Sequence, residues 1–211
     1  MRLLTPVTTD PDRVFPGLGA YSDAMARHCP YLRPWISRCL TTWTGYAAGP
    51  EDCPALLGLL VQTAETVRDA RRTSGPLACA NIAVIGPSDI PAAQSVLDWP
   101  HWIARNLYAS VGLMIGKFWI GEQEDDKTGQ PIMSPPVSFF SIRHSFPIKD
   151  ARFLGTLPEV AAALAASVDD DRDVLAEQLG VACSPEAATL AYDTLQSKFP
   201  TPARNTAGLP V

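Results

Sequence analysis

The stretch LMIGKFWI (Leu113–Ile120) and, beyond the polar connection GEQEDDKTGQP (121–131), the stretch VSFFSIRH (Val137–His144) decide how this chain is read. Both are rich in branched and aromatic residues and both alternate. They are expected to be strands that pair as a long-looped hairpin. In the first, Met114, Gly116, Phe118 and Ile120 share one face, and Leu113, Ile115, Lys117 and Trp119 share the other. In the second, Ser138, Phe140, Ile142 and His144 oppose Val137, Phe139, Ser141 and Arg143. His144 therefore ends its strand on an apolar, aromatic-lined face, with Arg143 on the opposite side. Gly116 removes a side chain from a strand of large residues, a gap that often marks the close approach of a ligand or another backbone.

Working outward, NIAVI (81–85), closed by Gly86-Pro87, reads as a buried strand. Pro54–Arg71 reads as a helix because Leu57, Leu60, Val61, Ala64 and Val67 recur at three- and four-residue steps. A second helix is expected over Pro91–Ala109, kinked or split at Pro100. Residues 1–18 read as an extended arm, Ala20–Trp43 as helix broken by Pro30 and Pro34, and Thr44–Pro50 as a loop. Leu157–Gly180 is expected to be helical, and Ser184-Pro185-Glu186 opens a final helix with a cap residue, a first-turn proline and an early acid. The fold expected is α+β: a small central, mainly antiparallel sheet packed against several helices in a single domain over residues 1–198, with a loose tail over 199–211.

Composition bounds the function. The chain has 211 residues, is 46% hydrophobic and 18% charged, and carries 17 Lys+Arg against 22 Asp+Glu, a net charge of -5. It lacks a basic stripe, so nucleic acid is not expected as a partner. No apolar run approaches a membrane span and the start lacks the apolar core of a signal peptide, so a cytoplasmic location is expected. Five widely spaced cysteines (Cys29, Cys39, Cys53, Cys79, Cys183) suit reduced thiols and contain no zinc-type CxxC pair. The acid run Asp169, Asp170, Asp171, Asp173 lacks the alternation and central glycine of a calcium loop and reads as a solvated face. No phosphate-cradling loop, nucleophile elbow or HExxH motif is present.

That leaves three histidines, His28, His101 and His144, as candidate bases or ligands. A neutral imidazole at the edge of an apolar slot suits an axial ligand of haem iron. Phe118, Phe140 and Phe146 would flank the macrocycle, and Arg143 or Arg152 would meet its propionates. The same residues equally describe a core histidine bonded to backbone with Arg143 in an ordinary ion pair. Trp99-Pro100-His101-Trp102 reads either as a pocket wall or as a helix packed on the sheet, and Cys29 reads as structural.

Cys29-Pro30-Tyr31, GLMIGKFW (Gly112–Trp119) and SPPVSFFSIRHSFPIKDARFL (Ser134–Leu154) together resemble a family of small bacterial domains with no assigned function, often found beside natural-product biosynthesis genes. On that pattern Cys29, Arg143, His144 and Asp150 are the carried-over positions. More distantly, the layout is similar to the YqcI/YcgG-type haem proteins, which oxidise nitrogen in guanidines and related amines. This resemblance implies haem held by His144. It departs at Trp119-Ile120, where the pattern has His-Pro.

Three readings follow. The first is a haem-dependent oxidative enzyme of natural-product biosynthesis, acting on an amino-acid-derived, nitrogen-containing small molecule by N-oxygenation or N–N or C–N bond formation. Here His144 is the metal ligand, Arg143, Asp150 and Trp119 are catalytic, and Phe118, Phe140, Arg152 and Gly116 hold the cofactor. The second is a cofactor-free isomerase or cyclase using His144 with Asp150. The third is a non-catalytic partner protein, with Trp99–Trp102 as an interface. The partner expected is a small-molecule substrate, and a homodimer is compatible with the sequence.

Overall fold

In a computed structural model, which describes residues 4–8, 15–28, 32–38, 40–123, 125, 129–146, 150, 154 and 157–200, the two alternating stretches do form a hairpin. Strand β4 (Leu113–Phe118) runs antiparallel to β5 (Ser138–His144) with Leu113 opposite His144 and Phe118 opposite Phe139. The other strands are β1 (Pro6–Thr8), β2 (Thr41–Ala47) and β3 (Cys79–Ile85), and the sheet order is β1-β2-β3-β5-β4. Only the β2–β3 pair is parallel. The architecture is α+β with a mostly antiparallel sheet.

The helices are α1 (Leu18–Met25), α2 (Leu32–Ser37), α3 (Cys53–Ser74), α4 (Ile90–Tyr108), α5 (Pro158–Ala165), α6 (Val174–Leu179), α7 (Pro185–Leu190) and α8 (Tyr192–Lys198). Helix α3 is the crossover between the parallel strands, as such a pair requires. Its stripe Leu57, Leu60, Val61, Ala64, Val67 is buried, and Gly75, at φ 72°, closes it with its N–H on the Arg71 carbonyl. Gly58 lets α7 come close: a Cβ there would lie 2.5 Å from the Pro185 carbonyl oxygen. Helix α4 begins where the Asp89 carboxylate accepts from Ala92 N at 2.9 Å.

Helices α3 and α4 pack on one face of the sheet, where Phe140, Ile142, Leu113, Ile115, Ile82 and Val84 join them in the main core. The opposite face carries Phe139 and Ala83 under Phe15, Leu18 and Tyr21. A further cluster gathers Trp102, Met114, Leu154, Leu157, Val160 and Leu164. No helix among the described residues is long and apolar enough to cross a membrane.

Several boundaries differ from expectation. The segment expected as helix to Trp43 and then loop contains β2, because TTWTGYA is a run of β-formers that pairs with β3 along its whole length. Ile120 lies beyond the end of β4. Helix α4 continues through Pro100 instead of splitting there. Leu157–Gly180 is two short helices, interrupted around Asp171, which takes φ 62°, and restarted at Asp173, whose carboxylate accepts from Leu175 and Ala176 N–H. The acid run is consumed by these local bonds and by Arg68, Arg72 and Arg172. Of the expected tail, Phe199 packs partly against the core, and 201–211 lie outside the described residues.

Candidate functional site

His144 closes β5 on the helix-covered face and is 3% exposed. Its Nε2 lies 3.1 Å from the Val67 carbonyl of α3. That bond requires the proton on Nε2, which leaves Nδ1 as a buried acceptor without a partner. Burial, followed by the nearby Arg71 and Arg68 charges, holds the imidazole pKa below its ordinary value against the opposing Val67 bond and Asp169. Arg143, on the other face, grips Asp150 with two bonds of 2.8 Å and also donates to the His144 carbonyl at 2.9 Å. Asp150 in turn accepts from Phe146 N at 2.7 Å, so the pair fastens the turn that follows β5.

This geometry corrects the cofactor-slot expectation. Phe140 shares the His144 face, but Phe118 stacks on Phe139 on the opposite face, with ring centroids 4.7 Å apart. The two cannot flank one macrocycle. The space above Gly116 is taken by the Phe118 ring, which a Cβ would meet at 3.1 Å. The orphaned Nδ1 is the one feature that suits a metal, yet it is sealed between α3 and the core strands, and Arg143 has committed its fork to Asp150. The described residues around His144 do not fit haem. Arg152 and Cys29 lie outside the described residues. Nor does His144 meet Asp150, whose carboxylate is held by Arg143 on the other face, so the paired acid–base expectation fails too.

The opposite end of the hairpin is built differently. Lys117 points to the helix face, is 1% exposed, and pairs with Asp98 of α4. Its ammonium lies 5.0 Å from the Trp119 ring centroid. Burial lowers the Lys117 pKa, and Arg105 lowers it further, while Asp98 and Glu122 oppose them. One turn of α4 along, His101 meets the Ile115 carbonyl at 2.9 Å, and burial with the Arg105 and Lys117 charges drives its pKa well below the ordinary value. Trp119, expected to be catalytic, is a buried wall of this ionisable group. Trp102 is buried as well, donating to the Phe199 carbonyl at 2.9 Å, which removes Trp99–Trp102 as an exposed aromatic interface.

Just past the end of β4, a cleft opens between α1 and the connection to β5. It is lined by Tyr21, Met25, Phe118, Glu122, Ile132, Met133 and Pro135, and holds about 290 Å³ counted out to its open mouth. Glu122, 8% exposed, is the only charged side chain among these. Sequence reasoning passed over Lys117, Asp98, Glu122, Arg105 and Tyr21. One signal was available: a lysine on the inward alternation of an apolar strand demands a buried counter-charge.

No curated protein matches the chain, and no solved structure does. Residues 24–174, which span the hairpin, both of its ends and α1's last turn, match a family described as a domain of unknown function, DUF6875, and the chain belongs to that family.

Proposed function

We propose that this chain is an enzyme of natural-product biosynthesis that takes an amino-acid-derived small molecule by its cationic nitrogen, in the cleft beside Phe118 and Glu122. The observation that carries this reading is a single carboxylate set among the apolar and aromatic walls of that cleft. Such a wall excludes water, which strengthens the attraction of Glu122 for an ammonium or guanidinium. The faces of Tyr21 and Phe118 add the attraction of their ring quadrupoles for the same cation. An anionic or purely apolar ligand would leave the Glu122 charge uncompensated. The reaction class that the resemblance implies, oxidation at nitrogen or formation of a bond to it, fits a site that holds nitrogen. Haem at His144 forms no part of this proposal.

The test is calorimetric titration of n-butylguanidine and n-butylamine, with n-butanol as the neutral comparison. Saturable binding of the cations is expected, weakened about tenfold or more in Glu122→Gln, the loss of a desolvated charge pair. His144→Gln should leave binding intact. Equal binding of butanol, or an unaffected Glu122→Gln, overturns the reading. Binding of cations with no turnover under any oxidant would favour the non-catalytic partner reading instead.

A further inference from the structure

Two arginines are buried against α3 and α4, and they are treated differently. Arg68, 7% exposed, has Glu65, Asp169 and the Arg172 carbonyl as partners. Arg105, 2% exposed, has none among the described residues: its Nε and Nη2 are closed off from solvent and lack any hydrogen-bond acceptor. The only influence on its pKa is burial, which pushes it down to about 10. The ionisable groups that feel it most are His101 and Lys117, and both feel it as an added positive charge. Lys117 already has Asp98. A buried, uncompensated guanidinium is among the costliest states a fold can hold.

The position of Arg105 is a seam. Helical spacing sets it on the α4 stripe of Trp102 and Ala109, which pack with Met114 of β4, with Leu154 and Leu157, and with Val160 and Leu164 of α5. His101, four residues earlier, touches the β4 backbone. The two orphaned nitrogens are the ones on the side edge of the guanidinium, where two parallel N–H bonds match the two oxygens of one carboxylate. One negative charge balances the one that is missing.

We propose that Arg105 anchors an anion site that takes the carboxylate of a small organic acid side-on through Nε and Nη2, in the seam between α4, β4 and the segment leading into α5. This does not rest on the cleft at Glu122 or on what fills it.

The experiment is thermal unfolding of the full chain in sodium acetate against sodium chloride at matched ionic strength. Acetate should raise the wild-type Tm by roughly 3–6 °C at tenfold excess over its Kd. Arg105→Met should show no acetate-specific rise, while being at least as stable as wild type in chloride, because an apolar side chain of similar volume replaces an unpaired buried charge. An equal acetate response in both proteins, or none in wild type, overturns the proposal. The Arg105 Nε–Hε resonance of the wild-type protein gives a second reading that needs no variant. A saturable shift with acetate is expected, and a resonance that does not move overturns the site.

Discussion

The two ends of the β4–β5 hairpin bury polar side chains to opposite effect. At the Leu113–His144 end, every polar group but one finishes in a bond to backbone or to a single partner: His144 on the Val67 carbonyl, Arg143 on Asp150, Asp150 on Phe146 N. At the Phe118 end, Lys117, Asp98, His101, Arg105 and Glu122 act on one another through space, and a cleft opens beside them. The first arrangement fixes a turn. The second leaves ionisable groups coupled in a low-dielectric setting next to an opening, the condition under which chemistry on a ligand becomes worth seeking. A family signature does not by itself tell these apart, since Ile142-Arg143-His144 and Gly116-Lys117-Phe118-Trp119 both belong to the pattern that the chain resembles.

The sharpest way to break this contrast is to remove one charge from the coupled end. Asp98→Asn leaves the Lys117 ammonium buried without its partner, and a loss of about 3–5 kcal/mol is expected in urea unfolding. The double variant Asp98→Asn with Lys117→Met should recover most of that loss. If Asp98→Asn alone is silent, the pair is not coupled and the contrast falls.

A smaller effect is expected at the closed end. His144→Phe removes the bond to Val67 and should cost about 1–3 kcal/mol at neutral pH. Its pH dependence follows from the lowered pKa. The unfolded chain takes up a proton on this imidazole near pH 6.5 and the folded chain only at lower pH, so wild-type stability falls as pH drops from about 6.5 through the lowered folded value. His101 contributes in the same direction. The His144→Phe protein should therefore lose less on acidification than wild type, which parallel melts between pH 7 and 5 would measure. In haem-supplemented preparations this substitution should leave the absorbance spectrum unchanged, and a Soret band lost on His144→Phe would return the closed end to the chemistry.

The smallest effect belongs to neither end. Arg72 pairs with Asp69 and Asp171 in full view of solvent, and Arg72→Ala should shift stability by about 0–1 kcal/mol, fading with added salt. A larger loss there would mean that surface pairs also matter and would blur the contrast.

Much of the fold was legible because its elements are periodic. Alternation located both hairpin strands and β3 to within a few residues, and the three- and four-residue steps located α3. Strand β2 was hidden by its own Gly45 and by the helical reading imposed on the residues before it. The break between α5 and α6 was hidden because the apolar positions on either side keep a helical spacing that the backbone abandons at Asp171. The faces of each strand were read correctly. What alternation cannot supply is which face of β4 matches which face of β5, because a long connection leaves the register open. Phe118 and Phe140 were therefore set on one side of a slot although they lie on opposite sides of the sheet. Arg105 escaped because a helix position four residues after a histidine carries no mark of burial until α4 is seen to be enclosed on nearly all sides.

Strand β4 is tied to the sheet through β5 alone, and the chain between the two strands is also the wall of the cleft. Whatever fastens that wall to α1 therefore also shortens the excursions in which β4 peels away from its neighbour. Occupancy of the cleft should be recorded as slower exchange of the amide hydrogens of Met114, Gly116 and Phe118, strand positions at a distance from the ligand, while the amides of β2 and β3 keep their rates.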